Sequence, residues 1–139
     1  MFYLLNILIQ MKIILNNPDL SKTLGPFNDI GFVPTMGGIH EGHISLIKRS
    51  IKSNKKTIVS IFVNPKQFNN LKDFNSYPAN IKKDLTILKK IKKLDFVYIP
   101  AFKHVYENKK VSEIRIEKKY KVLCAKFRKG HFEGVLDVM

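Results

Sequence analysis

The sequence predicts an α/β fold in which a parallel β-sheet is flanked by helices, and three observations predict it. Short apolar runs rich in β-branched residues alternate with amphipathic stretches along the chain. The run at 57–63, Thr-Ile-Val-Ser-Ile-Phe-Val, is nearly continuous, as a strand covered on both faces requires. Turn residues close each run: Pro34 after the first, Asn64-Pro65 after the second, Pro100 after the third. Strand, helix, strand, helix, strand in that order implies right-handed βαβ units and a parallel sheet.

Taken in order, residues 2–9 are apolar but too short to span a membrane, and they lack the basic flank and small-residue cleavage site of a signal peptide. They are either an extension upstream of a start at Met11 or part of an edge strand. Residues 12–15 read as strand-like and 30–33 as a short strand. Gly37, Gly38 and Gly42 make the following turn permissive. A helix is expected from Gly42 or His43 to about Ser53, with Ile44, Ile47 and Ile51 on one face. The clearest helix is expected over 79–93. There Ile81, Leu85, Leu88, Ile91 and Leu94 form the apolar stripe, and the intervening lysines face water. Strands are expected at 95–99 and 111–117, and 135–139 reads as the entry to a further one.

The chain has 139 residues, 45% of them hydrophobic, which fits one domain with a substantial core. Lysine and arginine number 25 against 11 acidic residues, a formal net charge of +14. Such a charge raises the possibility of a nucleic-acid or membrane-surface binder. The excess is nearly all lysine, however, set in pairs on a helix face, and arginine occurs only at Arg49, Arg115 and Arg128. Nucleic-acid readers lean on arginine forks and exposed aromatics, so the composition argues against that class. The single cysteine, Cys124, excludes an intrachain disulfide and favours a reducing, cytoplasmic compartment. It is read as a small buried hydrophobe, not a nucleophile.

Ligands of open parallel sheets bind outside the carboxyl ends of the strands. The turn after Val33 and the loop after Val63 are therefore the places to look for chemistry. The turn reads Pro34-Thr35-Met36-Gly37-Gly38-Ile39-His40-Glu41-Gly42-His43. Glycines let a backbone approach phosphates, a helix N-terminus offers free N–H groups, and imidazoles can donate hydrogen bonds to an α-phosphate as its charge builds. Read alone, the same residues also suit an ordinary turn and cap. A metal pair is the weaker alternative, because HEGH is not the HExxH helix of a zinc protease and no cysteine, histidine or carboxylate cluster adjoins it in sequence. His131 suits either the border of the site or a strand cap, and His104 is expected on the surface.

The stretch PTMGGIHEGHISLI resembles the signature of the pantothenate synthetases, within the wider nucleotidyltransferase superfamily marked by an H-x-G-H turn. VSIFVNPKQF, SYPANIKKDLTIL, LDFVYIPAFKHVY and RKGHFEGV are similar to further blocks of that family, in the same order. The resemblance implies one incomplete Rossmann-like nucleotide-binding domain over residues 1–139, with the family's C-terminal domain absent. It implies ATP, accompanied by Mg2+, and the substrates pantoate and β-alanine, joined through a pantoyl adenylate with release of AMP and pyrophosphate. Met36, Gly37, Gly38, Ile39, His40, Glu41, Gly42 and His43 would form the ATP-binding turn, with His43 catalytic and His40 its partner. Gln67 would hold pantoate and face β-alanine, with Asn64 nearby and Met36 on the pantoyl part. The family also implies a homodimer. No protein-held metal and no membrane is expected.

The chain departs from the family pattern in places. Ala79 stands where arginine usually follows Tyr-Pro, and Lys129 where proline usually precedes Gly-His-Phe. Asp137 stands where threonine is common, and in a buried strand it would be costly. The family's Gly-Gln-Lys-Asp block and its serine- and arginine-rich loop lie beyond these residues. A chain that binds nucleotide without turnover is therefore the alternative to a working ligase.

Overall fold

The computed structural model describes residues 10–106 and 131–138. The four strands are β1 (Lys12–Ile14), β2 (Ile30–Thr35), β3 (Lys56–Ile61) and β4 (Phe96–Tyr98), and every pairing among them is parallel, in the order β1-β4-β3-β2. The helices are α1 (Asn17–Leu24), α2 (Glu41–Ser53), α3 (Leu71–Asn75), α4 (Ile81–Leu88), α5 (Phe102–Tyr106) and α6 (His131–Val138), with a 3-10 turn at Pro65–Gln67. This is the α/β sheet with flanking helices that the sequence predicts.

Alternation along the strands divides the core into two layers. Val59 and Ile61 of β3 point to one face, where they meet Val33 and Val97 and the stripes of α2 (Ile44, Ile47, Ile51) and α4 (Leu85, Leu88). Ile58 points to the other, with Ile14 and Phe96, against Leu20 and Leu24 of α1. The amino ends of β3 and β4 are joined by Asp95, which pairs with Lys56 at 2.7 Å and accepts the Thr57 N–H at 2.9 Å. Because the strands are parallel, Thr35, Ile61 and Tyr98 finish on one edge of the sheet, and the loops that leave them form one surface.

Several expectations need correction. The segment 135–139 is not a strand: His131–Val138 is helical. A short apolar run does not distinguish the two by periodicity, and here the local packing against the Pro65–Gln67 turn selects the helix. Asp137 thus lies in a helix, not in a strand. The helix expected over 79–93 is regular only at Ile81–Leu88, capped by the Asn80 side chain on the Lys83 N–H. Beyond it, i→i+3 bonds from Lys90 to Ile87, Ile91 to Leu88 and Leu94 to Ile91 tighten the chain. They keep the apolar spacing while Lys93 turns at φ 66° to bring Leu94 into the core. α1 was not foreseen. Its start is written in Asn16, whose side chain caps the Asp19 N–H, and in Pro18, but none of its residues is fully buried and its stripe is weak. The strand expected at 111–117, Cys124, Lys129 and residues 1–9 lie outside the described residues.

Leu88 is fully buried, whereas Leu46 on α2 is 56% exposed. Leu88→Ala is expected to cost about 2–5 kcal/mol, and Leu46→Ala to stay within about 0.5 kcal/mol. Urea unfolding of the two variants checks this, and equal midpoints would contradict the assignment of the core.

Candidate active site

The turn leaving β2 is fixed from two sides. The Thr35 hydroxyl donates to the Ser60 carbonyl at 2.8 Å and accepts the Gly37 N–H at 3.1 Å, tying the turn to β3. Gly37 and Gly38 then take φ of 80° and 64°, a left-handed pair that side chains rarely adopt. The amides that follow converge on Asp84 of α4, which is 2% exposed: Gly38 N–H reaches Oδ2 at 3.0 Å and Ile39 N–H reaches Oδ1 at 2.8 Å. A Cβ on Gly37 would stand 2.9 Å from Asp84 Oδ2. The bare Cα of Gly37 therefore gives room to an internal carboxylate.

The turn delivers the chain into α2 with His40 as N-cap. His40 Nδ1 accepts the Gly42 N–H at 3.1 Å, and the His40 N–H points back to His43 Nδ1 at 3.4 Å, a long and weaker contact. This is a capping box built from imidazoles. The two rings lie with centroids 4.0 Å apart, tilted by 42°, and a Cβ on Gly42 would meet the His40 ring at 2.9 Å. The spacing H-x-G-H thus has a local cause: the glycine makes room for the first ring, and the third residue on closes the cap. Since both Nδ1 atoms accept N–H groups, the network assigns the proton of each neutral ring to Nε2. Burial lowers the His43 pKa from its ordinary 6.5, His40 pushes the same way, and Asp84 opposes both. At neutral pH His43 is accordingly an uncharged N–H donor.

The second carboxyl-end loop is built around Asn64, which is fully buried. Its Oδ1 accepts the Lys66 N–H at 3.2 Å and the Tyr106 hydroxyl at 2.8 Å, and its Nδ2 donates to the Gly134 carbonyl at 2.8 Å. Gln67 closes the 3-10 turn and is 7% exposed. Its carbonyl accepts from His131 Nδ1 at 2.9 Å, so His131 borders this loop and caps no strand. A Cβ on Gly134 would come within 2.5 Å of the Lys66 carbonyl oxygen, so α6 lies directly on the backbone of the turn. Met36 is half-buried beside the pinned glycines, and Glu41 is exposed in the first turn of α2. An apolar cleft of about 340 Å3 adjoins, lined by Ile61, Phe62, Val63 and Pro65 of the β3 exit, by Ala79, and by Pro100 after β4. His104 is half-buried, its Nδ1 accepting the Ala101 N–H at 3.2 Å at the start of α5.

Sequence reasoning passed over Asp84, Thr35, Tyr106 and Gly134. For Asp84 there was a signal: among lysines, it stands with Leu85 and Leu88 on the stripe that faces the core.

The family model described as Pantoate-beta-alanine ligase matches residues 12–139. Pantothenate synthetase of Pseudothermotoga lettingae is 49% identical over 110 residues, covering 79% of this chain and 39% of that protein. The Endomicrobium trichonymphae enzyme of the same name is 42% identical over 133 residues, 93% of this chain and 47% of that protein. Pantoate-beta-alanine ligase from Francisella tularensis, solved with beta-gamma ATP and beta-alanine, superposes with a TM-score of 0.84 at 39% identity, over 92% of this chain and 50% of that one. Pantothenate synthetase from Thermus thermophilus superposes with a TM-score of 0.82 at 31% identity, over 92% of this chain and 46% of that one. The chain spans half or less of the length of these relatives.

The packing of α6 and the state of His43 can each be tested. Alanine favours helices over glycine, yet Gly134→Ala is expected to destabilise by about 1–3 kcal/mol because its Cβ meets backbone. Chemical denaturation checks the sign, and a stabilised variant would contradict the packing of α6. The second test concerns pH. A histidine held below its unfolded value adds stability that is complete above 6.5 and is lost as pH falls through the folded value. The wild-type chain should therefore lose stability more steeply than His43→Gln as pH falls below 6.5, measured by denaturation at several pH values. Parallel curves would contradict it.

Proposed function

This chain belongs to the pantoate-beta-alanine ligase family, and from that premise we propose that it takes part in the ATP-dependent joining of pantoate to β-alanine. The reaction has two steps. The pantoate carboxylate attacks the α-phosphorus of ATP, the bond to the pyrophosphate oxygen breaks, and pantoyl adenylate forms. The β-alanine amine then attacks the acyl carbon, an amide bond forms, and AMP leaves with the electron pair of the broken C–O bond.

The observation that carries this reading is the pair of capped histidines on a pinned turn at the carboxyl end of β2. An α-phosphate held there would meet the Nε2–H of His40 and His43 and the positive end of α2. Donors fixed in place before the charge develops lower the barrier without reorganising. Neutral imidazoles also leave no permanent cation to retain AMP or pyrophosphate. Residues 36–43 would receive the nucleotide. Met36 and Gln67 would face pantoate and β-alanine, the Gln67 amide being able to donate to a carboxylate oxygen and accept from a hydroxyl. Asn64, with its amide spent on Gly134, Lys66 and Tyr106, would act by holding the Gln67 turn.

Among the described residues no group of three or more His, Cys, Asp or Glu could hold a metal ion. Near the turn, Asp84 is spent on amides. These residues do not form a magnesium cage, and Mg2+ would enter on the triphosphate of its substrate complex. No helix among the described residues is long and apolar enough to cross a membrane. A cytoplasmic setting and a homodimer belong to the same proposal.

The relatives' extra length favours one second reading, in which these residues bind nucleotide and turnover needs groups that the relatives carry elsewhere. Pantoate-dependent release of pyrophosphate and AMP decides between them, assayed with the chain alone and with the complementary half of a relative added. The ligase reading expects release that His43→Ala lowers by about 10²–10³-fold. ATP binding by the chain alone, with release only when the complementary half is added, would select the second reading. Release indifferent to His43→Ala would contradict the assigned role.

A further inference from the structure

Phosphate-binding turns in sheets of this kind usually offer a run of free backbone amides. Here two of those amides are already taken. Gly38 and Ile39 both donate to Asp84, from a helix 46 and 45 residues away in sequence, at 3.0 and 2.8 Å. The carboxylate is 2% exposed, and among the described residues it has no cationic partner: the described ion pair is Lys56 with Asp95. It packs so close to the turn that a single added carbon on Gly37 would stand 2.9 Å from Oδ2. A phosphate could reach these amides only by displacing a buried carboxylate or by lying against it, and two anions in contact repel.

We propose that Asp84 is a positioning residue of the anion site: its carboxylate fills the amide pocket of the glycine turn and so directs an incoming phosphoryl group to His40, His43 and the first turn of α2. This deepens the ligase reading and rests on it. The device has two consequences. It replaces an exchangeable ligand with a permanent internal one, so the left-handed pair at Gly37 and Gly38 keeps its shape whether or not nucleotide is bound. It also sets a fixed negative charge behind His43. The titratable groups that act on His43 are His40 on its own turn and Asp84 on α4. Tyr77, in the loop before α4, also faces Asp84, and burial followed by that carboxylate raises its phenol. Asp84 thus favours a proton on His43 while burial and His40 disfavour it. That balance leaves the ring neutral at rest and better able to accept a proton than it would be without the carboxylate.

The test uses the whole 139-residue chain, labelled with 15N, and inorganic pyrophosphate as the probe. In the wild-type chain, pyrophosphate is expected to shift the ring signals of His40 and His43 and leave the Gly38 and Ile39 amides in place. In Asp84→Ala those two amides become free and should move on adding pyrophosphate. In Asp84→Asn, which keeps the shape and loses the charge, the His43 titration midpoint should fall to lower pH. That midpoint reads the field of the carboxylate at His43, and the pyrophosphate-induced shifts read where the anion lies. Wild-type Gly38 and Ile39 amides that shift most on adding pyrophosphate would overturn the proposal, as would an unchanged His43 midpoint in folded Asp84→Asn. If neither variant folds, the wild-type titration decides alone. Absence of any pyrophosphate binding would count against the ligase reading, while the His43 midpoint would still test the field that Asp84 sets behind that ring.

Discussion

The contact on which the rest of the site depends is the one between a buried carboxylate and two backbone amides. A charged group out of water is costly unless its hydrogen-bonding capacity is met. Asp84 meets it with the Gly38 and Ile39 N–H groups, and each such charge-assisted bond contributes on the order of 1.5–3 kcal/mol. The glycine pair, the cap at His40 and the orientation of His43 all follow from a turn held in that shape. Thr35 supplies the second fixing point through Ser60, so the turn is braced by both β3 and α4. The site is thereby built on rigid elements of the core, as a constellation that must hold its donors in advance requires.

The neighbouring loop follows the same logic with a different residue. Asn64 is buried in the gap between the β3 exit, Tyr106 and α6, and its amide satisfies a group on each. Gly134 lets α6 lie on the turn, and His131 meets the Gln67 carbonyl. β2 and β3 are paired in register, Thr35 beside Ile61. Two independently braced loops therefore leave the same edge of the sheet side by side. One carries imidazoles and a helix N-terminus, suited to phosphate. The other carries a turn-held glutamine beside an apolar cleft, suited to a small molecule with a carboxylate and hydroxyls.

Much of this was legible in the sequence, and the limits have physical causes. The β3 run announced itself because a strand buried on both faces has no polar face to interrupt it. α2 was legible because Ile44, Ile47 and Ile51 carry a clear stripe, and the H-x-G-H turn because its residue types are unusual together. α1 was missed although Asn16 and Pro18 spell its start, since a helix lying half-exposed on a sheet has little stripe to show. α6 was misread because its few apolar residues fit either period. Asp84 could be seen to break an apolar stripe, but not which groups it would meet, because its partners lie 45 and 46 residues away. Gly134 was passed over for the same reason: the Lys66 backbone that demands it is remote in sequence.

At the centre of the site, the two histidines stand as neutral Nε2–H donors, held by their Nδ1 atoms in the cap of α2. Long-range 1H–15N correlation of the imidazole nitrogens at neutral pH reads the tautomers directly. The account predicts unprotonated Nδ1 and protonated Nε2 for both His40 and His43, with Nδ1 of His131 protonated. Protonated Nδ1 on His40 or His43, or a doubly protonated His43, would contradict it.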